Sequence, residues 1–408
     1  MPLIQPFRGL RPVPDRAADV AAPPYDVLSS AEARARAAGN PLNFLHISKA
    51  EIDLPVDTDP YSPAVYAKSA ENFCRLIADG ILIRDPTPCY YAYRLTMGEH
   101  VQTGLVAAAS VADYDSNRIR KHEFTRPDKE DDRVRQIEAL SAQTGPVLLA
   151  YPESQAADDL IARATRFVPV ADVTADSVRH TVWLIDDASA IAALTATFDA
   201  MPSLYIADGH HRSAAASRVA ASHRGQATAT GAEYFLAVIF PAQQMRILDY
   251  NRVVRDLNGL SVADFLARIG ERFAITPVAE RVRPEKPGVV GMYLGGRWYR
   301  LEIDPTLIPL DDPVRRLDVS LLSEHLLEPV LAIGDLRRDK RIDFVGGIRG
   351  PAELERRVDG GEMAVAFAVH ATQMGDLMAV ADSGQVMPPK STWFEPKLAD
   401  GLVSHIID

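Results

Sequence analysis

"YIADGHHRSAAA" occupies residues 205–216, and its reading decides how the chain is built. The apolar run Leu204 to Ala207 has strand character, Asp208-Gly209 interrupts it, and Ser213 to Ala216 opens a helix of small residues. A strand handing over to a helix that starts near His211 leaves backbone N–H groups unpaired at the turn, and such a helix start attracts anions. Gly209 lets the backbone approach a ligand closely, while His210, His211, Arg212 and Ser213 add donors or positive charge. Asp208 reads either as a helix cap or as a carboxylate beside a metal-bound phosphate. The plainer alternative is a capped helix with two hydrogen-bonded histidines and no ligand. Zinc is disfavoured here, because adjacent residues rarely both ligate one ion and no Cys or His spacing completes a tetrahedral set.

Three further clusters carry polar chemistry. The first is Lys121-His122-Glu123-Phe124-Thr125-Arg126, followed by Lys129, Glu130, Asp132 and Arg133. Residues 118–135 hold seven Lys or Arg against five Asp or Glu, a basic stretch in a chain of net charge -11. Lys121, Arg126 and Arg133 are therefore expected as phosphate-supporting cations. Glu123, flanked by Lys121 and Arg126, is expected to stay ionised as a general base or metal ligand. A solvated, salt-bridged loop accounts for the same residues without function. The second cluster, Met387 to Leu398, clamps Lys390, Ser391 and Thr392 between Pro-Pro and Trp393-Phe394, which suits an anion or a base as well as a packed turn. The third, "NPLNFLHI", contains Asn43 and His46, as substrate contacts or as core hydrogen-bonding residues.

At 408 residues the chain exceeds the size of one typical core, about 250 to 300 residues. Hydrophobic residues at 47% and charged ones at 24% describe a globular protein, and the acidic balance argues against nonspecific nucleic-acid binding. Two cysteines, Cys74 and Cys89, give no disulfide framework and suit a reducing cytoplasm. The longest uncharged apolar stretch, Leu105 to Ala112, is far below the roughly 20 residues a bilayer requires. A cytoplasmic location without membrane insertion is the expectation. Patterning predicts helices near 31–38, 62–79 and 262–273, an antiparallel pair 89–96 and 101–111 joined through Gly98, strands in 145–151, 233–240 and 245–254, and a hairpin at Gly295-Gly296. The predicted class is α+β with a mixed, mainly antiparallel sheet.

"PFRGLRP", "PPYDV", "KHEFT", "ADGHHRSAAA", "RIDFVGGIRG" and "MPPKSTWFEPKL" together resemble the family called domain of unknown function 1015 over essentially the whole chain. That resemblance implies a ParB/sulfiredoxin-like core with appended α/β segments. It divides the chain into 1–87 contributing to the core, 88–255 as a ParB-like catalytic core with the DGHHR motif, and 256–408 as a C-terminal α+β domain packing on it. Within the superfamily, D-G-H-H-R is similar to the phosphate-binding motif of free-serine kinases. By that likeness Asp208, His210 and His211 inherit a catalytic role, with Asp208 also a metal position for Mg²⁺. Gly209, Arg212 and Ser213 inherit phosphate contact. Sulfiredoxins place a catalytic Cys where His210 stands, so sulfinic-acid chemistry is not expected. The glutamate base of the serine kinases has two candidates here, Glu123 and Asp26. The expectation is a phosphotransferase moving a phosphoryl group from a nucleotide or pyrophosphate to a small hydroxylated metabolite, with free L-serine first among acceptors. The alternative is a nucleotide-binding switch of the ParB type without small-molecule kinase activity.

Overall fold

The computed structural model describes residues 1–225 and 231–407. The chain divides into two compact units, Met1–Met245 with Pro396–Asp408, and Arg246–Glu395. Among the described residues the first unit is built on a nine-stranded sheet. From one edge its strands are Ile119–Arg120, Leu204–Asp208, Val147–Tyr151, Tyr234–Pro241, His100–Ser110, Tyr90–Met97, Val178–Ile185 and Ala171–Ala175, with Ile4–Gln5 beside His100–Ser110. Leu204–Asp208 runs parallel to Ile119–Arg120, and Tyr234–Pro241 parallel to Val147–Tyr151. The remaining pairs are antiparallel, so the sheet is mixed and mainly antiparallel as expected.

The central strands are buried along their length, which is why Val147–Tyr151 and Leu204–Ala207 read as unbroken apolar runs without alternation. Leu105, Leu149, Ile206, Phe235 and Ile239 share a core with Leu194 and Phe198 and with Ala214, Ala216 and Ala220 of the helix His210–His223. Ala215 and Val219 of that helix pack in a second cluster with Ile137, Ala232 and Ile407. The alanine run thus serves close packing on two sides, and a larger side chain at Ala215 or Ala216 would overpack it. The predicted helix near 62–79 is Pro63–Ala78, with Tyr66, Phe73 and Leu76 inward and Ile77 exposed.

The second unit carries a six-stranded sheet in the order Phe273–Val278, Arg297–Ile303, Val289–Leu294, Val365–Val369, Tyr250–Val254, Ile342–Gly346. Every pair is antiparallel. The hairpin turns at Gly295 and Gly296, both at positive φ, as the sequence predicts. Within "RIDFVGGIRG", Gly346 is required by packing: a Cβ there would sit 2.7 Å from the Trp393 ring. The α+β class holds in both units. Residues 1–87 belong to the first unit, with Ile4–Gln5 paired into the main sheet and Leu10–Pro12 with Leu82–Arg84, and the division differs from the expected one at the boundary near 255. The second unit opens at Arg246 and ends at Glu395, since the last residues return to the first unit: Asp400 pairs with Ala22, Ser404 with Leu10, and His405 with Gln143. Among the described residues no helix is long and apolar enough to cross a membrane.

Candidate functional site

The strand Leu204–Asp208 ends on Gly209, whose φ of 100° turns the chain into the helix beginning at His210. Among the described residues no side-chain cap hydrogen bond is found at the start of this helix, and the amide of Ser213 is bonded to the Gly209 carbonyl at 3.0 Å. The amides of the first turn therefore face outward along the helix axis, the arrangement anticipated for an anion. A side chain at residue 209 would press on the Arg212 guanidinium and on Val147.

Four side chains radiate from the turn in different directions. Asp208 is half-buried, with Lys397 Nζ at 3.3 Å from Oδ2 and Arg212 Nη2 at 3.8 Å from Oδ1. Burial pushes its carboxyl up, but Lys397 and Arg212 outweigh this and hold it well below the usual carboxylate range. His210 is buried edge-on against His122, ring centroids 4.4 Å apart, and its Nδ1 lies 3.8 Å from Glu123 Oε2. Burial, then the neighbouring His122, push His210 well below its ordinary pKa, and burial brings His122 down to about 4, so both rings are neutral. His211 is partly exposed and accepts the Arg126 amide on Nε2 at 3.1 Å. Arg212 turns inward, bonding the Pro146 carbonyl, with Asp26 at 3.9 Å.

Arg212 and Arg133 line one cleft with Tyr25, Ser48, Thr144 and Asp400. The Arg133 guanidinium pairs with Asp132 at 2.7 Å and stacks 3.9 Å over the Tyr25 ring. Ser48 Oγ is buried there without a hydrogen-bond partner. Asp400 is pushed up to about 7, chiefly by burial.

The structure brings Asp208, Gly209, His210, His211, Arg212, Glu123 and Arg126 together around the turn, and links Arg133 to it through the cleft. Others predicted from sequence are engaged elsewhere. Ser213 is fully buried and its hydroxyl donates to the His210 carbonyl within the helix, so it is not presented to a ligand. Lys121 Nζ lies 3.8 Å over the Tyr114 ring. Asn43 Oδ1 accepts the Leu45 amide, and both His46 nitrogens are bonded, to Asp53 and to the Asn40 carbonyl; these residues hold local structure. Lys390, Ser391 and Thr392 belong to the second unit, where Ser391 Oγ donates to Pro388 and the Lys390 carbonyl accepts from Arg252. Sequence reasoning missed His122, Lys397 and Asp400. A histidine within "KHEFT" and a lysine within "WFEPKL" were the available signals, but their spatial partners lie 88 and 189 residues away.

Among solved structures, the chain is similar to a free serine kinase in complex with AMP, at 12% identity and a TM-score of 0.36, covering 71% of this chain and 86% of that one. A conserved hypothetical protein from Pyrococcus furiosus is similar at 13% identity and a TM-score of 0.36, covering 76% and 98%. C-terminally truncated SbnI from Staphylococcus aureus is similar at 12% identity and a TM-score of 0.38, covering 72% and 85%. A search among curated proteins finds no match. A family model matches residues 4–320, most of the chain and the whole of the turn just described, and the chain belongs to that family, the protein of unknown function DUF1015.

Proposed function

We propose that this chain is a phosphotransferase that carries a phosphoryl group from a nucleotide or pyrophosphate to a small hydroxylated metabolite, L-serine first among them. The observation that supports this reading is the uncapped helix start after Gly209, with Arg212, Lys397 and His211 around it. Phosphoryl transfer depends on positioning and on neutralising the charge of the equatorial oxygens, and preorganised amides and cations supply both. In this reading the amides of residues 210–212 and His211 hold the transferring group. Arg212 and Lys397 set the local potential, and Asp208 fixes both cations. Glu123, 44% exposed beside His210, is the carboxylate assigned here to accept the proton of the acceptor hydroxyl. Mg²⁺ seated on Asp208 fits poorly, because the carboxylate already faces two cations, and no step is assigned to it.

The test incubates the chain with ATP, ADP or pyrophosphate and a panel of amino acids and polyols, with and without Mg²⁺, and reads products by mass spectrometry. A phosphorylated small molecule that disappears in His211→Ala is the expected result. Donor binding with no phosphorylated acceptor across the panel would overturn it.

A further inference from the structure

We propose that His122, Glu123 and His210 form a binding site for a divalent transition-metal ion of the zinc class. The inference goes beyond the phosphotransferase reading and stands without it. Each residue offers one ligand atom, and the three atoms lie within 4.8 Å of one another. His122 follows the edge strand Ile119–Arg120 and His210 opens the helix, so two separate segments converge on the point.

His122 is the second, independent observation. It is 2% exposed, and its Nδ1 is buried without a hydrogen-bond partner. The ring does bond to the Ile206 backbone, which, with Nδ1 unpartnered, assigns that bond to Nε2. A ring tethered to a carbonyl through one nitrogen while the other is left bare is how a protein orients a metal-binding histidine. The His122 amide donates a long hydrogen bond to His210 Nε2 at 3.4 Å, a contact that ligation through His210 Nδ1 has to give up.

Two neutral imidazoles and a carboxylate suit zinc, cobalt or iron rather than magnesium or calcium, which prefer all-oxygen sets. Three protein ligands leave a coordination position open. Ligands on a tetrahedral ion at ~2.0–2.1 Å stand about 3.3 Å apart, so the three atoms, which lie within 4.8 Å of one another and 3.8 Å apart for His210 Nδ1 and Glu123, must draw together on binding. Glu123 is the exposed member, whereas the two histidines are buried.

The experiment titrates EDTA-stripped full-length chain with ZnCl₂ by calorimetry and with CoCl₂ by visible absorption. One ion per chain and an intense tetrahedral cobalt band are expected. Glu123→Gln, at an exposed position, and His122→Ala should each weaken binding by at least roughly tenfold. His211→Ala, outside the triad, should not. Absence of a stoichiometric site, a weak octahedral cobalt spectrum, or zinc affinity indifferent to Glu123→Gln overturns the proposal. Should His122→Ala fail to fold by circular dichroism, Glu123→Gln decides alone. A chain that binds zinc but phosphorylates nothing retains this site and loses the preceding reading; the opposite result removes only the site.

Discussion

Lys397 Nζ stands 3.3 Å from Asp208 Oδ2 across 189 residues of chain, so the C-terminal return delivers a cation to the turn that begins the motif helix. Lys397→Met keeps the apolar stem and removes the charge. Both side chains are partly exposed, at 25% and 35%, so solvent screens the pair and the stability loss should be about 1 kcal/mol or less. A charged contact to phosphate is worth more, ~1.5–3 kcal/mol, so the donor KM should rise by roughly tenfold or more. Melting curves and donor titrations measure the two effects separately; an unchanged KM would show that Lys397 only holds Asp208.

Gly209 at φ 100° is where backbone and site constrain each other. A Cβ there would lie 3.2 Å from Arg212 Cζ and 3.3 Å from Val147 Cα, in a backbone conformation that L side chains avoid. Gly209→Ala should therefore cost ~1–3 kcal/mol and displace Arg212. Chemical denaturation checks the first effect and nucleotide binding the second. A wild-type midpoint would mean that the turn relaxes without cost.

How much of this was legible in the sequence depends on range. The strand, the Gly209 break and the helix were read correctly because each is local: an apolar run, one flexible residue, then alanines. The pair Tyr90–Met97 and His100–Ser110 was legible for the same reason, with Gly98 at the turn. Local patterns could not show that residues 396–408 return to the first unit, because that return is held by scattered backbone bonds such as Asp400 to Ala22. Nor could they separate ligand-facing polar groups from structural ones. Asn43 and His46 could be read as substrate contacts or as core hydrogen-bonding residues, and they brace their own segment, while His122, given no role of its own, sits against His210. Zinc was disfavoured at His210 because no sequence spacing completed a ligand set; the fold places His122 and Glu123 beside it, which spacing along the chain could not show.

Arg212 was expected to reach toward phosphate, yet it is 10% exposed and bonded inward to Pro146. Burial opposes its charge, but Asp208, Asp26, Tyr25 and Asp400 more than offset that and raise its pKa above the usual value. Arg212→Ala strips a buried cation from these acids and should destabilise by ~3–5 kcal/mol. Arg212→Lys restores charge without the planar fork and should recover only part of it. Urea unfolding of the three forms gives the ranking; an Arg212→Ala variant as stable as wild type would mean that the carboxylates are solvated and the cleft open.

Asp400 supplies a pH signature of its own. Burial raises its carboxyl from 3.8 to about 7, with Asp26 acting in the same direction and Arg212 and Arg133 against it. In the unfolded chain it ionises near the ordinary value, so between about pH 4 and 7 the native state holds a proton that the unfolded state has released. Stability from this group therefore falls as pH rises through that window and stays at its lowered level above it. Asp400→Asn keeps an acceptor for the Tyr25 amide and cannot ionise. The variant should gain on wild type progressively from pH 4 to 7, reaching on the order of 4 kcal/mol at pH 8. Paired urea melts across that range test it; a difference that does not change with pH would mean that Asp400 is charged in the folded protein at every pH sampled, and that Arg212 and Arg133 prevail over burial.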